Sequence, residues 1–98
     1  MDAAEAVRAL QARGLKPRAA IRMVGYAAFL RQVGWNGLAE LMDPESLGML
    51  RSGFEDAGVN PLAIEFPNGD ALYLEELRRS SYHPLVREAV EGNRHSGN

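Results

Sequence analysis

The stretch that decides the fold runs from Trp35 to Leu74 and reads WNGLAELMDPESLGMLRSGFEDAGVNPLAIEFPNGDALYL. Its pattern predicts a short helix, a tight turn, a longer helix and then a β-hairpin. The longer helix, Pro44–Ala57, is the best marked, because Asp43 suits its N-cap, proline suits its first turn and Gly58 suits its C-terminal stop. Apolar side chains recur along one face of this helix, so it is predicted to pack against a core.

The residues after this helix alternate in the manner of two half-buried strands. Apolar side chains occupy the even positions of 62–66, and Asn68-Gly69 is a preferred pair for a two-residue hairpin turn. Two leucines in 71–74 then supply the returning strand. The longer run 71–79 is also rich in helix formers. The sequence predicts a hairpin, and the start of a helix at 71–74 is the alternative.

Three more helices are predicted outside this stretch, at Asp2–Arg13, Pro17–Val33 and Pro84–Glu91. The second of them carries apolar side chains around nearly its whole circumference, which predicts burial on most sides. It is either the central helix of the core or a dimerisation helix that uses Tyr26 and Phe29.

Length and composition are those of a single-domain globular protein. The 98 residues are 46% hydrophobic and 24% charged, which suits one modest core. We expect one domain over residues 1–92 and a disordered tail over residues 93–98. The chain has no cysteine, shows no targeting segment and has no apolar run that could span a bilayer. A cytoplasmic protein without a membrane partner is therefore predicted.

Charge is segregated along the chain. Residues 1–35 hold six basic and two acidic side chains, residues 36–77 hold one and nine, and residues 78–98 hold four and two. The acidic block coincides with the long helix and hairpin of the central stretch. Since DNA affinity comes mainly from neutralising phosphates, this block would repel a duplex unless cations elsewhere dominate.

Three short motifs in the central stretch match the pattern of a known family. They are Leu38-Ala39-Glu40-Leu41, then Ser46-Leu47 with Leu50, and finally Phe54-Glu55-Asp56-Ala57-Gly58-Val59. Together they resemble winged helix-turn-helix regulators of the MarR type. The resemblance implies a mainly α single domain with a small β-hairpin, in which Pro44–Ala57 is the recognition helix and Asn68-Gly69 marks the wing.

A small, dimeric DNA-binding or transcription-regulatory protein is the function that this resemblance implies. On the recognition helix it places Ser46, Arg51 and Ser52 on the outer face. Arg78 and Arg79, which precede a run of hydroxyl side chains, could contact phosphate as well. These five residues are the candidate nucleic-acid-binding set.

A non-catalytic protein-interaction module on the same shape is the alternative hypothesis. Such a regulator or inhibitor would dock its acidic helix-hairpin surface on a basic partner. The candidate interface residues are Tyr26, Phe29, Trp35, Glu55 and Asp56. The tryptophan, on a glycine-flanked link, is either a plug between helices or an exposed anchor. The sequence is compatible with three kinds of binding partner: DNA, another protein and a second copy of the chain.

The side chains that catalysis would need are scarce. His83 and His95 are the only histidines, and no glycine-rich phosphate loop occurs. The acidic pairs Glu55-Asp56 and Glu75-Glu76 are adjacent in sequence and therefore diverge on a helix or a strand. The sequence predicts no enzyme, and it marks no catalytic residue, metal site or cofactor.

Overall fold

The chain folds around its second helix. The computed structural model describes the backbone of residues 1–96 and the side chains of residues 1–92. The helices of this part are α1 (Ala3–Ala12), α2 (Pro17–Ala39), α3 (Pro44–Asp56), α4 (Ala71–Ser80) and α5 (Pro84–Ser96), with a 3₁₀ turn at Pro61–Ala63. Helices α1, α3 and α4 and the 3₁₀ turn all pack on α2, and α5 packs on α4. The interpretation of α2 as the central core helix is confirmed.

The N-termini of α1 and α3 are each capped by an aspartate side chain. In α1 the Glu5 amide donates to the Asp2 carboxylate at 2.9 Å, and the Glu5 side chain accepts in return from the Asp2 amide. In α3 the amide and the hydroxyl of Ser46 donate to Asp43 at 2.9 and 2.8 Å. These two bonds hold the pKa of Asp43 below its usual range, and the bond from the Ser46 amide has the larger effect. The predicted start of α3 is therefore confirmed.

Helix α2 is broken at Gly34. The sequence predicts that this helix ends at Val33, and Gly34 does have a non-helical conformation, with φ 71° and ψ 173°. An L side chain is strained at this positive φ, whereas glycine adopts it at little cost. The following residues return to helix as far as Ala39. The break redirects the chain, so that Trp35 begins a short second segment.

The predicted β-hairpin is wrong. In residues 1–96 there is no strand, and the one β-bridge is an isolated parallel contact between Asp2 and Glu65. Pro61–Ala63 forms a 3₁₀ turn in place of a strand, and residues 71–74 are the first turn of α4. The chain is therefore helical where a wing was expected, and the alternative of a helix at 71–74 is the correct one.

Backbone hydrogen bonding explains why the helix forms here. Residues 62–66 have the alternation of a strand, but the Asn60 side chain accepts from the Leu62 amide at 3.1 Å and starts the 3₁₀ turn. A lone two-stranded hairpin is marginal in water because both of its edges stay unpaired. A helix over 71–80 satisfies its own backbone groups and can bury Leu77 against α2. Burial of that face favours the helix.

The last helix also runs beyond its predicted end. It continues through Gly92 to Ser96, so glycine does not stop it there. Of the predicted disordered tail, residues 97 and 98 lie outside the described residues. Within the described part of the chain, no helix combines the length and the apolar character needed to cross a membrane.

A buried hydrogen bond ties α2 to the link between α4 and α5. The Tyr26 hydroxyl lies 2.9 Å from the Ser81 hydroxyl, and Ser81 also accepts from the His83 amide at 3.1 Å. Burial raises the pKa of Tyr26, while its bond to Ser81 and the charge of Arg22 oppose the shift. The folded chain therefore holds the Tyr26 proton more tightly than the unfolded chain does.

We expect Tyr26→Phe to lower the free energy of unfolding by about 1 kcal/mol at neutral pH, because a buried hydrogen bond is lost. The raised pKa implies that wild-type stability declines as the pH rises above the unfolded value of about 10. The gap between wild type and Tyr26→Phe should then shrink. Urea unfolding between pH 7 and 11 measures this, with Tyr82→Phe at an 85% exposed position as the control. A gap that is constant with pH would contradict the prediction.

Candidate functional site

A concave surface lies where the end of α3 meets the second segment of α2. It is a groove of about 470 Å³. Its lining residues are Trp35, Arg51, Phe54, Glu55, Gly58, Val59, Asn60 and Pro61. The volume falls in the range of about 300–1,000 Å³ that is usual for ligand pockets. We refer to these eight residues as the Trp35 groove.

The floor of the Trp35 groove is built by the C-terminal cap of α3. Gly58, at φ 69°, donates its amide to the Glu55 carbonyl at 3.0 Å, and the Val59 amide donates to the Phe54 carbonyl at 2.9 Å. This pair of bonds is the Schellman motif, which folds the residue after the glycine back onto the helix. Phe54 and Val59, both buried, are thereby placed side by side. The floor is apolar, and the two backbone hydrogen bonds of the cap position it.

One wall of the Trp35 groove is the chain's single tryptophan. Trp35 is half-buried, packs against the core and lies directly after the break at Gly34. The guanidinium carbon of Arg51 lies 4.1 Å from the centre of its ring, which is a cation–π contact. Trp35 therefore packs on the core and also lines the groove.

The rim of the Trp35 groove is acidic. Glu55 lines the groove, and Asp56 is the next residue along α3; both side chains are exposed. Among the described side chains, neither carboxylate lies within 4 Å of a basic group. Arg51, four residues before Glu55 and the one base of the acidic block, is held over Trp35. The rim therefore presents carboxylates that are free to pair with a cation.

Three of the candidate nucleic-acid-binding residues lie on α3, and two of these three already have partners within the chain. Ser46 is occupied by Asp43 at the N-terminus of α3, and Arg51 is stacked on Trp35. Ser52 is exposed on α3, directly after Arg51. The acid at the N-cap would face any phosphate that approached Ser46. These three residues share a helix but offer only one cation.

The other two members of that set lie on α4 and are paired with carboxylates. Arg78 donates through Nε to Glu75 at 3.1 Å and has Glu91 within 3.4 Å, and Arg79 donates to Glu75 at 3.2 Å. The hydrogen bond and the charge of Glu75 raise the pKa of Arg78. Phosphate contact at this site would have to compete with these acids.

Two of the candidate interface residues are part of the chain's own core. Phe29 is 0% exposed and Tyr26 is 6% exposed, so neither presents its side chain to a partner in the folded single chain. The other three, Trp35, Glu55 and Asp56, come together at the Trp35 groove or beside it. The structure thus assembles part of the predicted interface set at one place.

Sequence reasoning missed several residues that complete the groove. The sequence predicts Phe54 only as a residue of the core-facing side of α3, and it marks none of Val59, Asn60 and Pro61 as a site residue. A signal for them was present, because a glycine stop followed by an apolar residue predicts a contact back onto the helix. The contribution of Trp35 was not predictable in the same way, since it depends on how α2 continues after Gly34.

Comparison of the chain with protein-family models, with curated proteins and with solved structures gave no significant match in any of the three. The function of the Trp35 groove therefore has to be argued from its own chemistry.

Proposed function

We propose that this chain is a non-catalytic protein-interaction module whose Trp35 groove receives a segment of a partner protein. The observation that carries the proposal is the groove itself. An apolar floor of Phe54 and Val59 lies beside a tryptophan wall and an exposed acidic rim. Tryptophan and arginine are enriched among the residues that dominate binding at protein interfaces, and Trp35 and Arg51 lie together here.

The physical chemistry of the groove supports this proposal more than it supports DNA binding. Duplex DNA is held by cations that neutralise its phosphates. Other arginines outside the candidate set are engaged as well, since Arg18 pairs with Glu76 at 3.1 Å and Arg22 lies over Tyr82. Helix α3 offers one arginine, and that arginine faces the groove. A protein segment needs no such set of cations, because it can bury an apolar side chain in the Trp35 groove.

Selection from a random peptide library on the immobilised protein tests the proposal. Peptides that enter the groove should change the emission of Trp35, which reports on this site alone because it is the only tryptophan. We expect them to bind Trp35→Leu at least tenfold more weakly, since interface tryptophans commonly contribute 2 kcal/mol or more, about thirtyfold in affinity. Labelled peptides followed by anisotropy give these affinities.

The matched control is Leu72→Ser, which removes another partly exposed apolar side chain, 69% exposed on α4. It should leave peptide binding unchanged. Selected peptides that bind Trp35→Leu as well as wild type, or a selection that yields no peptide, would overturn the proposal. A low-salt shift of random duplex DNA that is lost in Arg51→Ala would favour the nucleic-acid hypothesis instead.

A further inference from the structure

The C-terminal end of α3 carries two acidic side chains. Backbone carbonyls give a helix C-terminus a partial negative charge, which basic side chains usually complement. The last turn of α3 contains no basic residue and instead carries Glu55 and Asp56. These acids lie at the negative end of the helix, where they oppose its dipole. The free protein therefore tolerates an unfavourable concentration of negative charge beside the Trp35 groove.

Among the described side chains, no basic group pairs directly with either carboxylate, since none lies within 4 Å of them. The nearest base along the helix, Arg51, is committed to the Trp35 ring at 4.1 Å. The amides of Gly58 and Val59 satisfy two of the helix carbonyls but bring no net charge. A cation supplied from outside would complement both the carboxylates and the helix dipole at once.

We infer that the segment received by the Trp35 groove is basic, an inference that rests on the proposed function. An apolar side chain of the partner packs on the floor of Phe54 and Val59. A lysine or arginine beside it pairs with Glu55 and Asp56 at the negative end of α3. The bound segment thus makes an apolar contact, which excludes water, and a charged contact at the rim, where opposite charge improves specificity and the rate of association.

The charge of the selected peptides tests this inference. In the peptide selection described above, groove-binding sequences should be enriched in lysine and arginine next to a large apolar residue. Their affinity should fall as salt is raised, because exposed charge pairs are screened. Replacing the basic residues of one such peptide with glutamate should abolish the change in Trp35 emission.

Charge reversal on the protein gives the matched comparison. Asp56→Lys should weaken binding of a selected basic peptide roughly tenfold, since an attractive pair is replaced by a repulsive one. It should also raise the melting temperature of the free protein, because lysine complements the helix dipole. A raised melting temperature would show that Asp56→Lys is folded, so that weaker binding by this variant is not caused by misfolding. Glu88→Lys, an exposed acid within α5, should leave the affinity unchanged.

The possible results distinguish failure of the inference of a basic partner from failure of the proposed function. Groove-dependent peptides that are neutral or acidic would overturn the inference of a basic partner and leave the proposed function standing. Equal weakening by Asp56→Lys and Glu88→Lys would reduce the effect to overall charge and would overturn the inference too. If no selected peptide depends on Trp35, the proposed function fails, and the inference fails with it.

Discussion

Gly25→Ala should destabilise the protein by about 3 kcal/mol or more, the upper range for overpacking in a core. A Cβ atom at Gly25 would lie 2.3 Å from the carbonyl oxygen of Tyr73 and 3.0 Å from Cβ of Leu77. The first neighbour is backbone and cannot rotate away, so α2 and α4 would have to separate. Because most domains are stable by only about 5–15 kcal/mol, a loss of this size is large.

The control for this experiment is Gly48→Ala. Gly48 also lies inside a helix, α3, but a Cβ atom there would meet nothing within 4 Å. Alanine at such a position should stabilise the protein by about 0.5–1 kcal/mol, because it restricts the unfolded chain and favours the helix. Urea unfolding of both variants measures the two changes. If Gly25→Ala stabilised the protein as Gly48→Ala does, the close approach of α2 and α4 would be disproved.

Phe29→Ala should cost about 3–5 kcal/mol of unfolding free energy, as expected for removal of a fully buried aromatic side chain. Phe29 is 0% exposed and lies in the middle of α2, on which most of the other elements pack. Neighbours could fill the resulting cavity only by moving whole helices. Phe29→Leu keeps most of the volume and should cost less than about 1.5 kcal/mol, which provides a folded variant if alanine does not fold.

The sequence allows Phe29 to be either a core residue or a dimer-interface residue, and the same variants distinguish the two. A core residue affects the stability of the chain at every protein concentration. A dimer-interface residue would make stability depend on concentration and would leave a folded monomer after truncation. Unfolding measured at two protein concentrations, together with size-exclusion chromatography, distinguishes these outcomes. Leu72→Ala, at a 69% exposed position, should change stability by no more than about 0.5 kcal/mol.

The candidate site was only partly predictable from the sequence. The glycine stop at Gly58 and the acids before it were visible, and they describe the floor and rim of the Trp35 groove. The arginine above the tryptophan was not, because Trp35 and Arg51 are separated by the turn between α2 and α3. The burial of Tyr26 and Phe29 within the single chain was not predictable for a related reason. An apolar helix face gives no sign of whether its cover comes from the same chain or from a second one.

The structural features that were predicted correctly from the sequence are those that local interactions determine. Side-chain caps fixed the starts of α1 and α3, because Asp2 and Asp43 satisfy amides within the next turn of chain. The positive φ that glycine tolerates fixed the break at Gly34 and the end of α3 at Gly58. All of these contacts join residues close together in sequence, so composition and spacing were enough to find them.

Tertiary structure decided the region after residue 60. Its alternating apolar residues and Asn68-Gly69 satisfied the local pattern of a hairpin, while 71–79 satisfied the pattern of a helix equally well. The choice was made by α2, whose Gly25 leaves room for the α4 backbone and whose apolar surface requires a cover. A hairpin would have left its edges unpaired, whereas the helix pairs its own backbone and buries Leu77. The packing partner α2, whose Gly25 precedes Leu77 of α4 by 52 residues, determined which of two locally acceptable structures forms.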